Sequence, residues 1–329
     1  WLHPGTYRLA AAVVFTPEDS GSTQFPVTYR ALPGEQAVLS GGVPVTGWRP
    51  QDERVWVAEV PWVKQRPEPF TQLFVNGLRH PRARTPNEGS YAYSERLLMK
   101  GRPGPFPQCV GLTFEEGDLV PWDSTENVLV CLFHNWVNSY NRVGTADWNG
   151  RRLEFARPAG IFFLGKSVRY YVENLRSALD APGEWYLDHR AGLLHYYPMP
   201  GEDLAKAEVI APAVSQTLLY LRGAPEAGLY VENLQFRGLS FQHTDADLSP
   251  DYRYSNQGAG TQRGAIVASG ARNCRIEECT FTRLGEHAVS LLDACAYNTV
   301  TGCHIHDVGG GGVYLSEGFP ASTADWYLT

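Results

Sequence analysis

The chain has 329 residues, 43% of them apolar, and a formal net charge of −7. No apolar run approaches the roughly 18 residues of a membrane-spanning helix. No basic cluster offsets the acidic balance, which argues against a nucleic-acid backbone as the main partner.

The 33 Gly and 23 Pro suit a turn-rich all-β chain better than a helical one. Residues 1–48 read as strands and turns. Val27-Thr28-Tyr29-Arg30 alternates, Pro33-Gly34 marks a turn, and Val38-Leu39 runs into Gly41-Gly42. Residues 49–200 lack the period found further on, and their alternating runs predict an inserted antiparallel β-domain. These runs include Val55–Val60, Gln72–Gly77, Asn127–Phe133, Ile161-Phe162-Phe163 and Leu193–Tyr197. The Asn76-Gly77 pair between apolar segments is a hairpin signal. Tyr170–Ala181 is expected to form one short helix.

From 201 to 329 the chain repeats itself. Ile276, Cys279, Phe281, Leu284, Val289 and Leu291 sit over Val300, Cys303, Ile305, Val308, Val313 and Leu315 at a constant offset of 24 residues. Gly285 falls over Gly309 in the same frame. Short apolar strands at this period predict a solenoid. Phe236, Leu239 and Phe241 form an earlier copy, 40 residues before Ile276, Cys279 and Phe281. Ile266 and Ala268 resume the register 23 residues before Val289 and Leu291. The excess of about 16 residues therefore lies in Thr244–Arg263. Residues 1–48 read as the first rungs of the same coil.

Cys279 and Cys303 share one stacked position, with backbones about 4.8 Å apart, inside the range for a disulfide. Side chains stacked in parallel rarely present the disulfide torsion, so buried free thiols are expected. The chain opens without Met at Trp1 and stops at Trp326-Tyr327-Leu328-Thr329 as another turn should begin, which reads as a fragment of a longer coil.

Several segments carry a family resemblance. They are Pro4-Gly5-Thr6-Tyr7, Ser40-Gly41-Gly42 with Gly47-Trp48, Leu73–Gly77 with Arg82–Asn87, Gly183–Asp188, and His304-Ile305-His306-Asp307-Val308-Gly309. Together they resemble the secreted carbohydrate-active parallel β-helix proteins. The nearest are glycoside hydrolases of the family 141 type, which have fucosidase and xylanase members and a β-sandwich insert. The resemblance implies an all-β, right-handed parallel β-helix (a pectate-lyase-like solenoid) with an inserted antiparallel β-domain. It also implies a secreted or periplasmic location, a carbohydrate substrate, a monomer and no cofactor.

In such a coil, sequence offset becomes distance. Asp293 and Glu317 share the 24-residue offset, so their carboxylates would approach about 5 Å, the spacing of retaining glycosidases. The alternative is an exposed turn with both side chains in water. Thr280 and Thr282 face outward and are followed one rung later by His304 and His306. His243, Arg283 and Asp307 should stack in a column, in which Arg283 would hold Asp307 ionised as a base or sugar-hydroxyl acceptor. A surface ladder that stabilises the turns is the alternative. His287 faces Gly311 one rung on, which leaves room for a ligand. Asp245 and Tyr252, in the long loop, would shape a subsite; a disordered surface loop is the alternative.

Asp307, Asp293 and Glu317 are thus the candidate catalytic residues. His243, Arg283, His287, His304, His306, Asp245 and Tyr252 are the candidate substrate contacts. No metal site is expected from two His residues alone. A polysaccharide lyase on the same fold would add Ca²⁺, with Asp245, Asp247 and Asp251 as ligands. A non-catalytic carbohydrate-binding coil is the third reading. Gly309–Gly312 reads as a tight turn.

Overall fold

The computed structural model describes residues 1–87, 89–100, 108–135, 137–159, 167–213, 216–248, 259–260 and 263–316. Among these residues the secondary structure is β-strand with four short 3₁₀ turns and no α-helix. The chain divides into two compact units. One comprises Trp1–Pro44, Ile210–Asp247 and the described residues from Ala259 onward; the other is built on Val45–Val209.

The first unit is a coil of three parallel sheets. The first sheet stacks Gly5–Arg8, Ala37–Ser40, Leu239–Gln242, Thr280–Thr282 and His304–Ile305. The second stacks Val13–Phe15, Leu219–Arg222, Gly264–Ser269, His287–Leu291 and Val313–Leu315. The third stacks Val27–Arg30, Leu234–Arg237, Arg275–Glu277 and Thr299–Thr301. The chain visits them in that order on every rung.

The repeat frame matches the observed register. Phe236 pairs with Ile276, Phe241 with Phe281, Ile266 with Val289, and Val289 with Val313. Inward positions therefore stack like on like. The Phe241 and Phe281 rings stack nearly parallel with centroids 4.9 Å apart, and Tyr29 and Phe236 do the same at 5.5 Å. These rings and the aliphatic side chains around them form one continuous core. All six cysteines are free thiols; Cys279 is buried and Cys303 half-buried.

The corners between sheets need left-handed backbone. Most positions use Gly or Asn, such as Gly238, Gly302, Asn233 and Asn273. The corner from the first sheet to the second is different, because it takes every long excursion of the coil. After Ala37–Ser40 the chain leaves through Gly42–Pro44, which pairs antiparallel with the returning Val209–Pro212. After Leu239–Gln242 it runs through 243–263 before the next second-sheet strand. The two later rungs cross this corner in only a few residues, 283–286 and 306–312.

The second unit holds an antiparallel barrel rather than the β-sandwich that the family resemblance implies. Its strands run Arg169–Glu173, Ala92–Lys100, Gln108–Phe114, Arg152–Ala159, Asn138–Asp147 and Leu129–Phe133. Leu129–Phe133 then pairs back onto Arg169–Glu173, which closes the sheet on itself. Closure needs curvature, and register shifts between Ser94/Arg96, Leu98/Met99, Cys109/Gly111 and Val143/Thr145 supply it. Gly111 is required at one of them, since a Cβ there would lie 2.1 Å from the Leu153 carbonyl oxygen. Asn76-Gly77 forms the predicted hairpin, with φ of 50° and 78° between Leu73–Val75 and Leu78–His80.

The helix expected over Tyr170–Ala181 is absent. The strand Arg169–Glu173 ends at Asn174, which adopts φ 61°, and a single 3₁₀ turn follows at Arg176–Ala178. Tyr170 and Val172 pack into the barrel core, and that packing decides for strand over helix. The run at 161–163 lies outside the described residues.

Candidate functional site

The corner from the first sheet to the second collects the polar residues of the coil. His243, Arg283 and Asp307 occupy one position on successive rungs, each with positive φ (61°, 56° and 49°). Backbone bonds from His243 N–H to the Arg283 carbonyl (3.0 Å) and from Leu284 N–H to the Asp307 carbonyl (3.1 Å) hold the column. A bulky Arg in left-handed backbone is strained, and strain of this kind clusters at functional sites.

Around the column the outward residues of the first sheet are joined side chain to side chain. Ser40 Oγ accepts the Gly42 N–H at 3.1 Å and lies 3.0 Å from His243 Nδ1. Gln242 Nε2 donates to Ser240 Oγ at 2.8 Å, and Gln242 Oε1 accepts from Arg283 Nη2 at 2.8 Å. Thr282 Oγ1 lies 3.4 Å from His306 Nδ1, and the His304 and His306 rings stack at 4.5 Å. Ser40, Ser240, Gln242, His243 and Thr282 are buried; His304, His306 and Asp307 are exposed. Gly42 permits this packing, since a Cβ there would come within 2.9 Å of His243 Cβ.

Behind the column lies a buried carboxylate centre. Asp245 and Glu286 are each 1% exposed. Gly285 brings the two segments together: a Cβ on it would lie 2.2 Å from the Asp245 carbonyl carbon. Glu286 Oε1 accepts the Asp247 N–H at 2.9 Å, and Oε2 accepts the Arg263 N–H at 2.8 Å. Burial away from water pushes the Glu286 carboxyl up to about 7, with the Asp247 and Asp245 charges adding to the rise. The two backbone donors oppose the shift and are outweighed. A carboxyl so placed holds its proton near neutral pH.

The structure places His243, Arg283, Asp307 and Asp245 at this one corner, with His304 and His306 alongside on the first sheet. His287, one residue beyond Glu286, fills the space expected for a ligand with its own ring. Its Nδ1 accepts the Gly311 N–H at 2.6 Å, so the ring proton sits on Nε2, which faces the Ala259 carbonyl at 2.9 Å. Tyr314 stacks on the same ring at 5.1 Å. Asp293 lies elsewhere, at the corner beyond the opposite end of His287–Leu291, where its carbonyl accepts the Gly270 N–H. Arg283 hydrogen-bonds back one rung to Gln242, and its Nε is buried with no partner among the described residues. Glu317, Tyr252 and Asp251 lie outside the described residues. Among the described residues no group of three or more His, Cys, Asp or Glu is arranged to hold a metal ion.

From the sequence, Glu286 and Gln242 carried no assigned role, and Ser40 entered only within a segment of the family resemblance. The signal for Glu286 was available: in the 24-residue frame it stands over Gly310, a charged residue where the next rung carries glycine.

A family profile described as "Right handed beta helix region" matches residues 253–321. A solved structure named "Glycoside hydrolase" aligns over 95% of this chain with a TM-score of 0.73 and 24% identity. The two share a fold. The chain spans 59% of that protein's length. A second structure, "The complex structure of XylC with xylose", aligns over 93% of this chain and 48% of its own, with 12% identity and a TM-score of 0.37. No curated protein matches the sequence.

Proposed function

We propose that the protein is a glycoside hydrolase acting on a plant or host polysaccharide or oligosaccharide at the corner that carries Asp245, Glu286 and Asp307. The observation that supports this most is the buried carboxyl pair, Glu286 with its proton retained to about pH 7 beside Asp245. Glycosidases need one carboxyl that delivers a proton and a second that acts ionised. Glu286 is assigned the acid that protonates the glycosidic oxygen as the bond breaks. Asp245 is assigned the base or nucleophile on the other face of the sugar. The stripe of Thr282, His304, His306 and Asp307 offers donors and acceptors for sugar hydroxyls, with Arg283 held between Gln242 and the column. The fold shared with a protein named glycoside hydrolase accords with this reading. A secreted or periplasmic location belongs to the same proposal.

The test is incubation of the protein with a panel of neutral and acidic plant and host glycans. New reducing ends without near-ultraviolet absorbance mark hydrolysis, and Glu286→Gln should abolish them. Unsaturated, absorbing products would replace this reading with a lyase. Binding without any product would leave a carbohydrate-binding coil.

A further inference from the structure

We infer that Cys279 and Cys303 form a reversible redox pair, two thiols on adjacent rungs that an external disulfide oxidant converts to one cross-link between those rungs. Nothing in the glycan chemistry uses these residues; they lie on the inward side of the first sheet, in the hydrophobic core.

The geometry begins with register. Thr280 pairs with His304 and Phe281 with Ile305, so Cys279 stands directly over Cys303. The His304 N–H donates to the Cys279 carbonyl at 2.9 Å, which locks the two positions at the inter-strand distance. Parallel strands lie about 4.8 Å apart, inside the Cα separation that a disulfide spans. The two thiols also sit alike. Cys279 Sγ lies 3.3 Å from the carbonyl of Glu277, and Cys303 Sγ lies 3.5 Å from the carbonyl of Thr301. Both side chains therefore point the same way along one column.

The pair is unequal. Cys279 is 1% exposed, whereas Cys303 is half-buried. Cys303, the more exposed of the two, is the sulfur that an external oxidant reaches first, and the neighbouring Cys279 holds its thiol below the ordinary value. Cys303 is thus the attacking thiol and Cys279 the resolving one. With glutathione disulfide as oxidant, the Cys303 thiolate attacks one glutathione sulfur and the oxidant's S–S bond breaks. The first glutathione leaves as a thiolate and takes up a proton. Cys279 then gives its S–H proton to solvent and attacks Cys303 Sγ, which displaces the second glutathione. Two protein thiols lose two electrons in all, and one glutathione disulfide becomes two thiols.

Tryptic mapping reads this directly, because Cys279 falls on the peptide Ile276–Arg283 and Cys303 on the peptide that starts at Leu284. The purified protein is treated with glutathione disulfide and then alkylated. The expected result is a linkage of these two peptides, located at Cys279 and Cys303 by fragmentation, with a mass loss of two hydrogens and full reversal by dithiothreitol. Cys303→Ser should abolish the linkage, and Cys274→Ser should leave it intact. Alkylation of both cysteines after oxidation, or Cys303 carrying glutathione with no linkage, would overturn the inference.

Discussion

Replacing Glu286 by Gln should change how stability depends on pH in a calculable way. The folded-state carboxyl titrates at about 7 against an ordinary value of 4.5. The folded state therefore binds the proton more tightly than the unfolded chain. Its contribution is fully present below the unfolded value and is lost as pH rises through the folded one. A rise of that size corresponds to roughly 3 kcal/mol of stability at 1.36 kcal/mol per unit. Stability should thus fall between about pH 4.5 and pH 7 by that order because of this one group. Gln carries no titrating proton, so this component vanishes. The amide supplies one acceptor where Asp247 N–H and Arg263 N–H use both carboxyl oxygens, and one buried donor left unmet costs about 1–3 kcal/mol. Glu286→Gln should therefore be less stable than the wild type at acidic pH and approach it at alkaline pH. Urea denaturation of both proteins across this range measures the difference. Parallel stability curves would refute the burial-driven shift of Glu286.

Four further outcomes follow from particular contacts. Phe281→Ala removes a ring stacked on Phe241 in the coil core and should cost about 3–5 kcal/mol in the same denaturation assay. Arg82→Ala leaves Glu173 buried without its ion-pair partner and should destabilise by about 3–5 kcal/mol. Gly285→Ala places a Cβ 2.2 Å from the Asp245 backbone; it should cost about 1–3 kcal/mol and abolish glycan cleavage by moving the two acids apart. Asp307 is exposed, so Asp307→Asn should raise KM for a cleaved glycan while leaving the denaturation midpoint unchanged.

Much of the coil was legible because stacking makes its register repeat in sequence. Phe236, Ile276 and Val300 are three points on one inward column, and the sequence offsets among them reproduce the pairing. The polar column of His243, Arg283 and Asp307 was legible for the same reason. The barrel was not, since nothing local states that Leu129–Phe133 pairs on both sides; closure is a property of six strands together. Asp293 illustrates the limit of the repeat. The frame states which residues stack, but it does not say which of the coil's corners they occupy. Glu286 and Asp245 converge through a corner turn and a close glycine contact, outside the strand register, so their meeting required the structure.

In the proposed function Glu286 is the proton-bearing acid at this corner. The most direct test is the pH dependence of kcat/KM for reducing-end release from a cleaved glycan, in the wild type and in Glu286→Gln. Wild-type activity should fall away as pH rises through about 7, where this acid loses its proton, and the variant should show no measurable turnover. Wild-type rates in Glu286→Gln with an unchanged alkaline limb would contradict that role.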